Sequence, residues 1–199
     1  MKIGLIPMSA KPYHAGHDGL VRLACNECQT VQLFVSLSDR KRPGELPIYG
    51  KDMETIWKNY IEQSLPGNCL PPVYTMAASP IGEMLKFLEA QDKAGSEDTF
   101  VIYSDIEDIK TYTDSMLMKY MPVLMAAGQV ERRGVDRNET VNVSGTKMRQ
   151  FIASGDTASF AQFLPPALQA NSQQILDILT QKVTNESLIK KYVKSMVRA

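Results

Sequence analysis

Two histidines, His14 and His17, have the residue type and spacing best suited to chemistry in this chain. They are the only histidines among 199 residues, and both lie in the segment P-Y-H-A-G-H over residues 12–17. The apolar run before them, over 3–8, predicts a buried strand, and the apolar spacing after them predicts a helix. Residues three apart share a helix face, and a helix N-terminus offers unpaired N–H groups to an anion. Gly16 lets a ligand approach the backbone closely, so the pattern predicts a phosphate-binding turn.

Two other interpretations of the histidine pair are a chance pairing in a surface loop and a metal site. A helical zinc site of the H-E-x-x-H type places an acidic residue and a second histidine at fixed helical spacing. No acidic residue stands at that spacing beside His14 and His17. The sequence therefore predicts no metal site held by protein ligands.

A second group of polar residues stands late in the chain, at Ser144, Gly145 and Thr146, with Arg149 one helical turn later. Hydroxyls and backbone N–H groups at a helix start can bind phosphate, and a guanidinium one turn on can clamp two phosphate groups. The alternative is an ordinary serine or threonine N-cap before an apolar helix.

Three cations are further candidates for phosphate binding. Lys11 precedes the histidine segment, and Arg40 and Lys41 belong to a basic loop after the second predicted strand. The alternative for all three is a solvated loop cation, which is the usual state of lysine and of adjacent charges.

Four residues are candidates for contacts to a base or a sugar. Trp57 is the only tryptophan and could stack on a base, but its spacing with Met53 and Tyr60 also fits core packing. Tyr103, Ser104 and Asp105 end a predicted strand; Asp105 could instead cap the next turn.

The two motifs, about 130 residues apart and in this order, resemble the nucleotidyltransferase superfamily with the H-x-G-H signature. Val143–Arg149 resembles the S-[GS]-T-x-x-R motif of these enzymes, and Ser144–Pro166 resembles the archaeal-type nicotinamide-mononucleotide adenylyltransferases and related bacteriophage nucleotidyltransferases. The resemblance covers roughly residues 1–166. Many relatives carry Asp or Gln at the position of Lys11 and a Gly-[RST]-Phe turn where this chain has Met8-Ser9-Ala10.

The resemblance implies a reaction, a cofactor and partners. A nucleoside triphosphate, ATP or CTP, enters with Mg²⁺, and a small phosphorylated acceptor displaces pyrophosphate. His14 and His17 correspond to the signature histidines, and Ser9, Gly16 and the 144–146 segment fall in phosphate-binding positions. ATP with nicotinamide mononucleotide, giving NAD, is the first expectation. The alternatives are a cytidylyltransferase acting on a phosphorylated alcohol, and a catalytically silent structural or nucleotide-binding protein of the same fold.

Composition narrows the class of protein. Basic and acidic residues balance at 22 each, which argues against a nucleic-acid-coating protein. No run of 18 apolar residues and no signal-peptide pattern occurs, and three cysteines fit a reducing cytoplasm. Cys25 and Cys28 form C-x-x-C, but only Cys69 remains as a further thiol, so both are expected to be packing residues. We therefore expect a cytoplasmic protein; the sequence leaves open whether it is a homo-oligomer.

The candidate site residues lie on a chain of alternating predicted strands and helices. Strands are predicted at 3–8, 31–35, 73–76, 99–103, 129–135 and 140–143, and helices at 17–28, 52–64, 81–88, 113–127 with a break at Pro122, and 146–154. Such alternation predicts an α/β, Rossmann-like, mostly parallel sheet with helices on both faces. His14, Arg40, Asp105 and Ser144 each follow a predicted strand, and the carboxyl ends of parallel strands share one edge. We expect one site there, in a domain over 1–166, with 167–199 forming C-terminal packing helices of the same domain.

Overall fold

The computed structural model describes residues 1–180, which form an α/β fold around one parallel sheet. The strands are β1 Lys2–Met8, β2 Thr30–Ser36, β3 Val73–Thr75, β4 Thr99–Asp105 and β5 Val130–Val135. Their order across the sheet is β3-β2-β1-β4-β5, with every neighbouring pair parallel. Because the chain leaves β1 toward β2 on one side and returns to β4 on the other, the strand order reverses at β1. A crevice is expected at such a switch point.

Helices connect the strands. They are α1 Ala15–Glu27, α2 Gly50–Ile56, α3 Ile81–Lys93, α4 Asp114–Leu117, α5 Pro122–Ala126, α6 Gly145–Ser154 and α7 Thr157–Gln162, with a further helical segment over 172–180. The helix of α2 continues through a π-helical stretch, Trp57–Ile61, and a short 3₁₀ turn, Glu62–Ser64. Further 3₁₀ turns are Asp108–Thr111, Arg137–Glu139 and Pro166–Asn171.

The central strands are apolar on both faces, as expected for a parallel sheet covered by helices. Ile6 and Leu33 belong to one buried cluster, whereas their neighbours Leu5 and Phe34 belong to the other. Leu168 and Leu179, from the C-terminal segment, are buried in the first cluster. The two clusters therefore lie on opposite faces of the sheet. The C-terminal segment, as far as residue 180, packs into the first cluster.

The fold expected from the sequence is confirmed, with differences in detail. Helix α3 runs five residues past its predicted end. The break expected at Pro122 is confirmed: α4 ends at Leu117 and Pro122 starts the separate helix α5, because proline is favoured at a first helical position. The strand predicted over 140–143 is wrong: the segment pairs with no strand among residues 1–180 and runs across the start of α1. Of the C-terminal packing helices expected over 167–199, residues 181–199 lie outside the described residues.

Candidate functional site

The two histidines lie at the start of α1, directly after the loop that leaves β1. His14 is the N-cap residue, with extended backbone at φ −149°, and its carbonyl accepts the Asp18 N–H at 3.1 Å. His17 lies in the first turn. The two imidazole rings stack with their centroids 3.8 Å apart, and the ring of Tyr13 also stacks on His17, at 5.7 Å. The spacing of three residues therefore forms one paired imidazole surface at a helix N-terminus.

Burial sets the charge of this surface. Desolvation lowers the pKa of His17 to about 4, so the ring is neutral at pH 7. Its Nδ1 atom is buried and has no hydrogen-bond partner among residues 1–180. A neutral imidazole carries one N–H donor and one acceptor nitrogen. His17 thus keeps hydrogen-bonding capacity that the described part of the protein does not use.

A cavity of about 270 Å³ opens beside the histidines at the carboxyl ends of β1, β4 and β5. Eight of the residues predicted from the sequence line it: Ser9, His14, Gly16, His17, Ser104, Asp105, Ser144 and Gly145. The remaining lining residues are Pro7, Met8, Leu20, Asp108, Val135, Thr140, Val141 and Val143. The cavity joins the two sequence motifs at the sheet edge where the parallel topology predicts a ligand.

Gly16 is required by the close approach of two segments. A Cβ atom at this position would lie 2.9 Å from the Val141 carbonyl oxygen and 3.1 Å from His14 Nδ1. The first of these distances is shorter than real side chains tolerate, and the obstacle is backbone. Glycine therefore lets the extended segment 140–143 close the cavity over the histidines.

The start of α6 forms the opposite wall. Ser144 is its N-cap, and the side-chain oxygen accepts the Lys147 N–H at 3.2 Å. The ordinary capping role is therefore present, and the same residue also lines the cavity. A Cβ on Gly145 would lie 3.2 Å from Arg149 Nη1, so glycine lets the guanidinium pack beneath the helix start.

Arg149 connects this wall to the loop after β1. It is 4% exposed, and it donates to the Lys11 carbonyl and to Thr146 Oγ1, each at 2.9 Å. It also forms an ion pair with Glu45 at 2.9 Å. Burial, followed by the charge of Arg40, lowers the pKa of Arg149, which still leaves a guanidinium charged at neutral pH.

Lys11 is held at the end of β2 and is not a solvated loop lysine. The residue is 5% exposed, and its Nζ donates to Ser36 Oγ at 3.0 Å and to Ser38 Oγ at 2.8 Å. Burial, followed by the charge of Arg40, lowers its pKa to about 8. With Arg40 and Arg149 it forms a cation cluster beside the cavity, on the β2 side of β1.

The two cations of the basic loop, Arg40 and Lys41, differ in their partners and in their exposure to solvent. Arg40 donates to Glu45 Oε2 from Nη2 at 2.9 Å and from Nε at 3.2 Å, within the cluster. Lys41 pairs with Asp39 at 2.8 Å and lies over the Tyr49 ring, with its side chain 57% exposed. The structure thus places Arg40 near Arg149, whereas Lys41 lies on the surface.

Trp57 and Tyr103 are fully buried and do not line the cavity. The Trp57 ring packs edge-on against Tyr13 at 5.1 Å and Tyr74 at 6.2 Å. The Tyr103 hydroxyl donates to Glu27 at 2.8 Å. Both aromatic rings therefore pack in the core. Asp105 lies in the cavity wall, and its side chain also accepts a hydrogen bond from the Glu107 N–H at 3.0 Å.

The cysteines lie apart from the cavity. Cys28 contacts the Tyr103 hydroxyl at 3.3 Å, and the thiol of Cys25 hydrogen-bonds to Cys69, which lowers the pKa of Cys25. Within residues 1–180, no group of three or more His, Cys, Asp or Glu side chains is arranged to hold a metal ion. The same part of the chain contains no helix long and apolar enough to cross a membrane.

Sequence reasoning missed three residues that contact the cation cluster: Ser36, Ser38 and Glu45. The two serines follow the apolar residues of β2, and a polar pair at the carboxyl end of a parallel strand is a recognisable signal. Glu45 follows Pro43-Gly44, a dipeptide that predicts a tight turn. The turn was recognisable, but its direction toward Arg149 was not.

Comparison with known proteins supports the fold alone. No family model matches the chain, and no curated protein matches it. A similar solved structure is that of TmcAL from Thermotoga maritima, crystallised with alpha-thio ATP, with a TM-score of 0.51 and 13% sequence identity. The alignment covers 92% of this chain and 56% of that one. This chain therefore shares a Rossmann-like architecture with a protein that binds an ATP analogue, and it spans little more than half of that protein's length.

Proposed function

We propose that this protein is a nucleotidyltransferase that moves a nucleotidyl group from a nucleoside triphosphate to a small phosphorylated acceptor. The observation that carries the proposal is the cavity in which the stacked His14 and His17 face the start of α6. Both walls are helix N-termini, which attract phosphate oxygens. That the similar structure was solved with an ATP analogue is consistent with a nucleotide ligand.

In the proposed reaction, an oxygen of the acceptor phosphate attacks the α-phosphorus in line, and the bond to the pyrophosphate oxygen breaks. The protein contributes position and charge neutralisation, because transfer at phosphorus needs little covalent help. His14 and His17 donate hydrogen bonds to the phosphates, aided by the backbone N–H groups of Gly16 and Gly145. Arg149, with Thr146, stabilises the departing pyrophosphate.

The acceptor phosphate is assigned to the cation cluster. Lys11 and Arg40 lie on the β2 side of the histidines, so an acceptor bound there would approach the α-phosphorus from the side opposite β4 and β5. Lys11 takes the place of the acidic or amide residue common in the resembling family. The contribution of Lys11 to this contact is a direct charge-assisted hydrogen bond.

Mg²⁺ belongs to this proposal as part of the nucleotide substrate. Magnesium is commonly bound through substrate phosphates and one or two carboxylates. Asp105 and Asp108, in the cavity wall, are the carboxylates available there. Mg²⁺ would neutralise charge on the triphosphate.

ATP with nicotinamide mononucleotide is the first substrate pair, which rests on the resemblance over residues 144–166. A cytidylyltransferase is the second candidate. The catalytic unit is proposed to span residues 1–166, with residues 167–180 packing on the same core.

The test is pyrophosphate release with Mg²⁺, using ATP and CTP separately against a panel of acceptors led by nicotinamide mononucleotide. Turnover with ATP and that acceptor, lost in His17→Ala, supports the first pair. Turnover with CTP only keeps the reaction and changes the substrate. No turnover with any pair, from a folded protein, contradicts the proposal and favours a binding or structural role.

A further inference from the structure

The loop between Arg40 and Ile48 is a hairpin that places Glu45 in contact with Arg40 and Arg149 of the cation cluster. Its base is an antiparallel bridge: the Arg40 N–H donates to the Ile48 carbonyl at 2.8 Å, and the Ile48 N–H donates back at 3.0 Å. At its tip the Glu45 N–H donates to the Arg42 carbonyl at 3.1 Å across Pro43-Gly44, with Gly44 at φ +76°. Proline followed by a positive-φ glycine is the signature of a type II turn, so the position of Glu45 is set by the backbone.

One carboxylate oxygen of Glu45 joins the two arginines. Oε2 accepts from Arg40 Nη2 and pairs with Arg149 Nη2, each at 2.9 Å. The side chains of Arg40 and Glu45 are 24% and 28% exposed, and that of Arg149 is 5% exposed. Two guanidinium groups converging on one anion form the arrangement that binds phosphate groups. The hairpin therefore fills, with a residue of this chain, the position where a ligand anion would be held.

We propose that Glu45 is an internal stand-in for a substrate phosphate, and that the hairpin over 40–48 is a lid that a phosphorylated ligand must displace. The proposal rests on the function assigned to this site. Near neutral pH a phosphate monoester carries close to two charges and three acceptor oxygens. A carboxylate carries one charge and two oxygens. Exchange of Glu45 for a phosphate group at Arg40 and Arg149 therefore favours the phosphate, while in the empty protein the single charge of Glu45 offsets part of the charge of the two arginines.

The energetic consequence is a lower apparent affinity for anions. When only a fraction of the protein has its binding site open, the apparent dissociation constant rises by the inverse of that fraction. If the lid is open in about a tenth of the molecules, removing the Glu45 charge tightens anion binding by about tenfold.

The experiment measures binding of inorganic pyrophosphate by isothermal titration calorimetry to the native protein, Glu45→Gln and Glu45→Ala. The matched control is Glu83→Gln, which removes a carboxylate paired with Lys86 at 2.9 Å on α3. We expect binding about tenfold tighter in both Glu45 variants and unchanged in the control. Equal or weaker binding by folded Glu45 variants overturns the lid and makes Glu45 a structural clamp.

Two further measurements cover the case in which a Glu45 variant does not fold. Thermal denaturation establishes that each variant is folded, and Glu45→Asp, one methylene shorter, gives a variant that keeps the charge. If neither Gln nor Ala folds, Glu45→Asp must bind pyrophosphate more tightly than the native protein for the proposal to stand. Because the probe is pyrophosphate alone, the outcome is separate from turnover. Nucleotidyl transfer without a change in anion affinity overturns only the lid, and tighter binding without transfer overturns only the proposed reaction.

Discussion

Arg149 Nη1 donates to the Lys11 carbonyl oxygen at 2.9 Å, although 138 residues separate the two in the chain. This hydrogen bond is buried and joins the loop before the histidines to the helix that begins at the second motif. The relative position of the two cavity walls therefore depends on a planar guanidinium that reaches Lys11, Thr146 and Glu45 at once.

The first prediction concerns this hydrogen bond. Arg149→Lys keeps the charge, but an ammonium cannot reproduce contacts in three directions from a rigid plane. We expect the free energy of unfolding to fall by about 1–3 kcal/mol, because buried hydrogen-bond partners are left unpaired. Urea denaturation measures this change. Arg22→Lys, at an exposed arginine paired with Asp18 on α1, is the control and should change stability by less than about 1 kcal/mol.

The second prediction concerns the charge of His17. Burial holds its pKa at about 4 against an ordinary value of 6.5, so between these values the unfolded chain binds more protons than the native protein. The stabilisation is fully present above pH 6.5 and is lost as the pH falls toward 4. We expect the free energy of unfolding to drop by about 2 kcal/mol between pH 7 and pH 5 through this residue.

Comparison with His17→Gln isolates the contribution of His17 to the pH dependence of the free energy of unfolding, since the variant lacks the titrating group. Nuclear magnetic resonance can also observe the ring directly in His14→Gln, which leaves a single histidine in the chain. A midpoint near 6.5 for His17 would show that the ring is solvated and would contradict its assigned burial.

The third prediction concerns Lys11, whose pKa burial lowers to about 8. If its ammonium holds the acceptor phosphate, that contact weakens as the pH rises above 8. The acceptor KM should then increase by about eightfold between pH 7.5 and 9. Lys11→Met should raise the KM at pH 7.5 and flatten the profile. A native profile that is flat over this range would place the acceptor phosphate away from Lys11.

Stability should move in the opposite direction over that range. The ordinary pKa of the lysine is 10.5 and its native value is about 8, so the unfolded chain binds more protons in between. The contribution of Lys11 to the free energy of unfolding therefore rises with pH from 8 to 10.5. A parallel loss of stability in the native protein, absent in Lys11→Met, would contradict the assignment.

The fourth prediction uses two glycines in α-helices. Gly16→Ala places a Cβ 2.9 Å from the Val141 carbonyl, so segment 140–143 must shift away from the histidines. We expect nucleotide affinity to fall at least tenfold, as measured by titration calorimetry. Gly82→Ala is the control, since nothing lies within 4 Å of its added Cβ. It should stabilise α3 by about 0.5–1 kcal/mol and leave affinity unchanged; equal affinities in both variants would show that the close approach is dispensable.

Much of the site could be predicted because it depends on chain topology. His14 lies in the loop after β1 and Asp105 ends β4, and a parallel sheet brings the carboxyl ends of such strands together. Ser144 reaches the same cavity as the N-cap of α6, although the strand predicted before it does not form. Trp57 shows the limit of this reasoning. Its apolar helical spacing fits both a core residue and a base-stacking one, and only its packing between Tyr13 and Tyr74 shows which space it fills.

Glu45 and segment 140–143 show a second limit. Val141 and Val143 alternate with polar residues over 140–143, which favours a strand, but the segment instead contacts Gly16 and Gly19 of α1. Glu45 lies in a polar loop whose composition predicts only solvent exposure. At both positions the conformation depends on contact with a residue distant in the chain, and the periodicity of the sequence does not reveal such contacts.

Radiolabelled ATP shows whether the α-phosphorus of a nucleoside triphosphate reacts in this cavity. Native protein is incubated with Mg²⁺, nicotinamide mononucleotide and ATP labelled at either the α- or the γ-phosphorus, with His17→Ala as control. We expect the α label to enter the product and the γ label to leave in pyrophosphate, and we expect both outcomes to be lost in the variant. Transfer of the γ label to the acceptor would identify a phosphoryl transferase and would contradict nucleotidyl transfer.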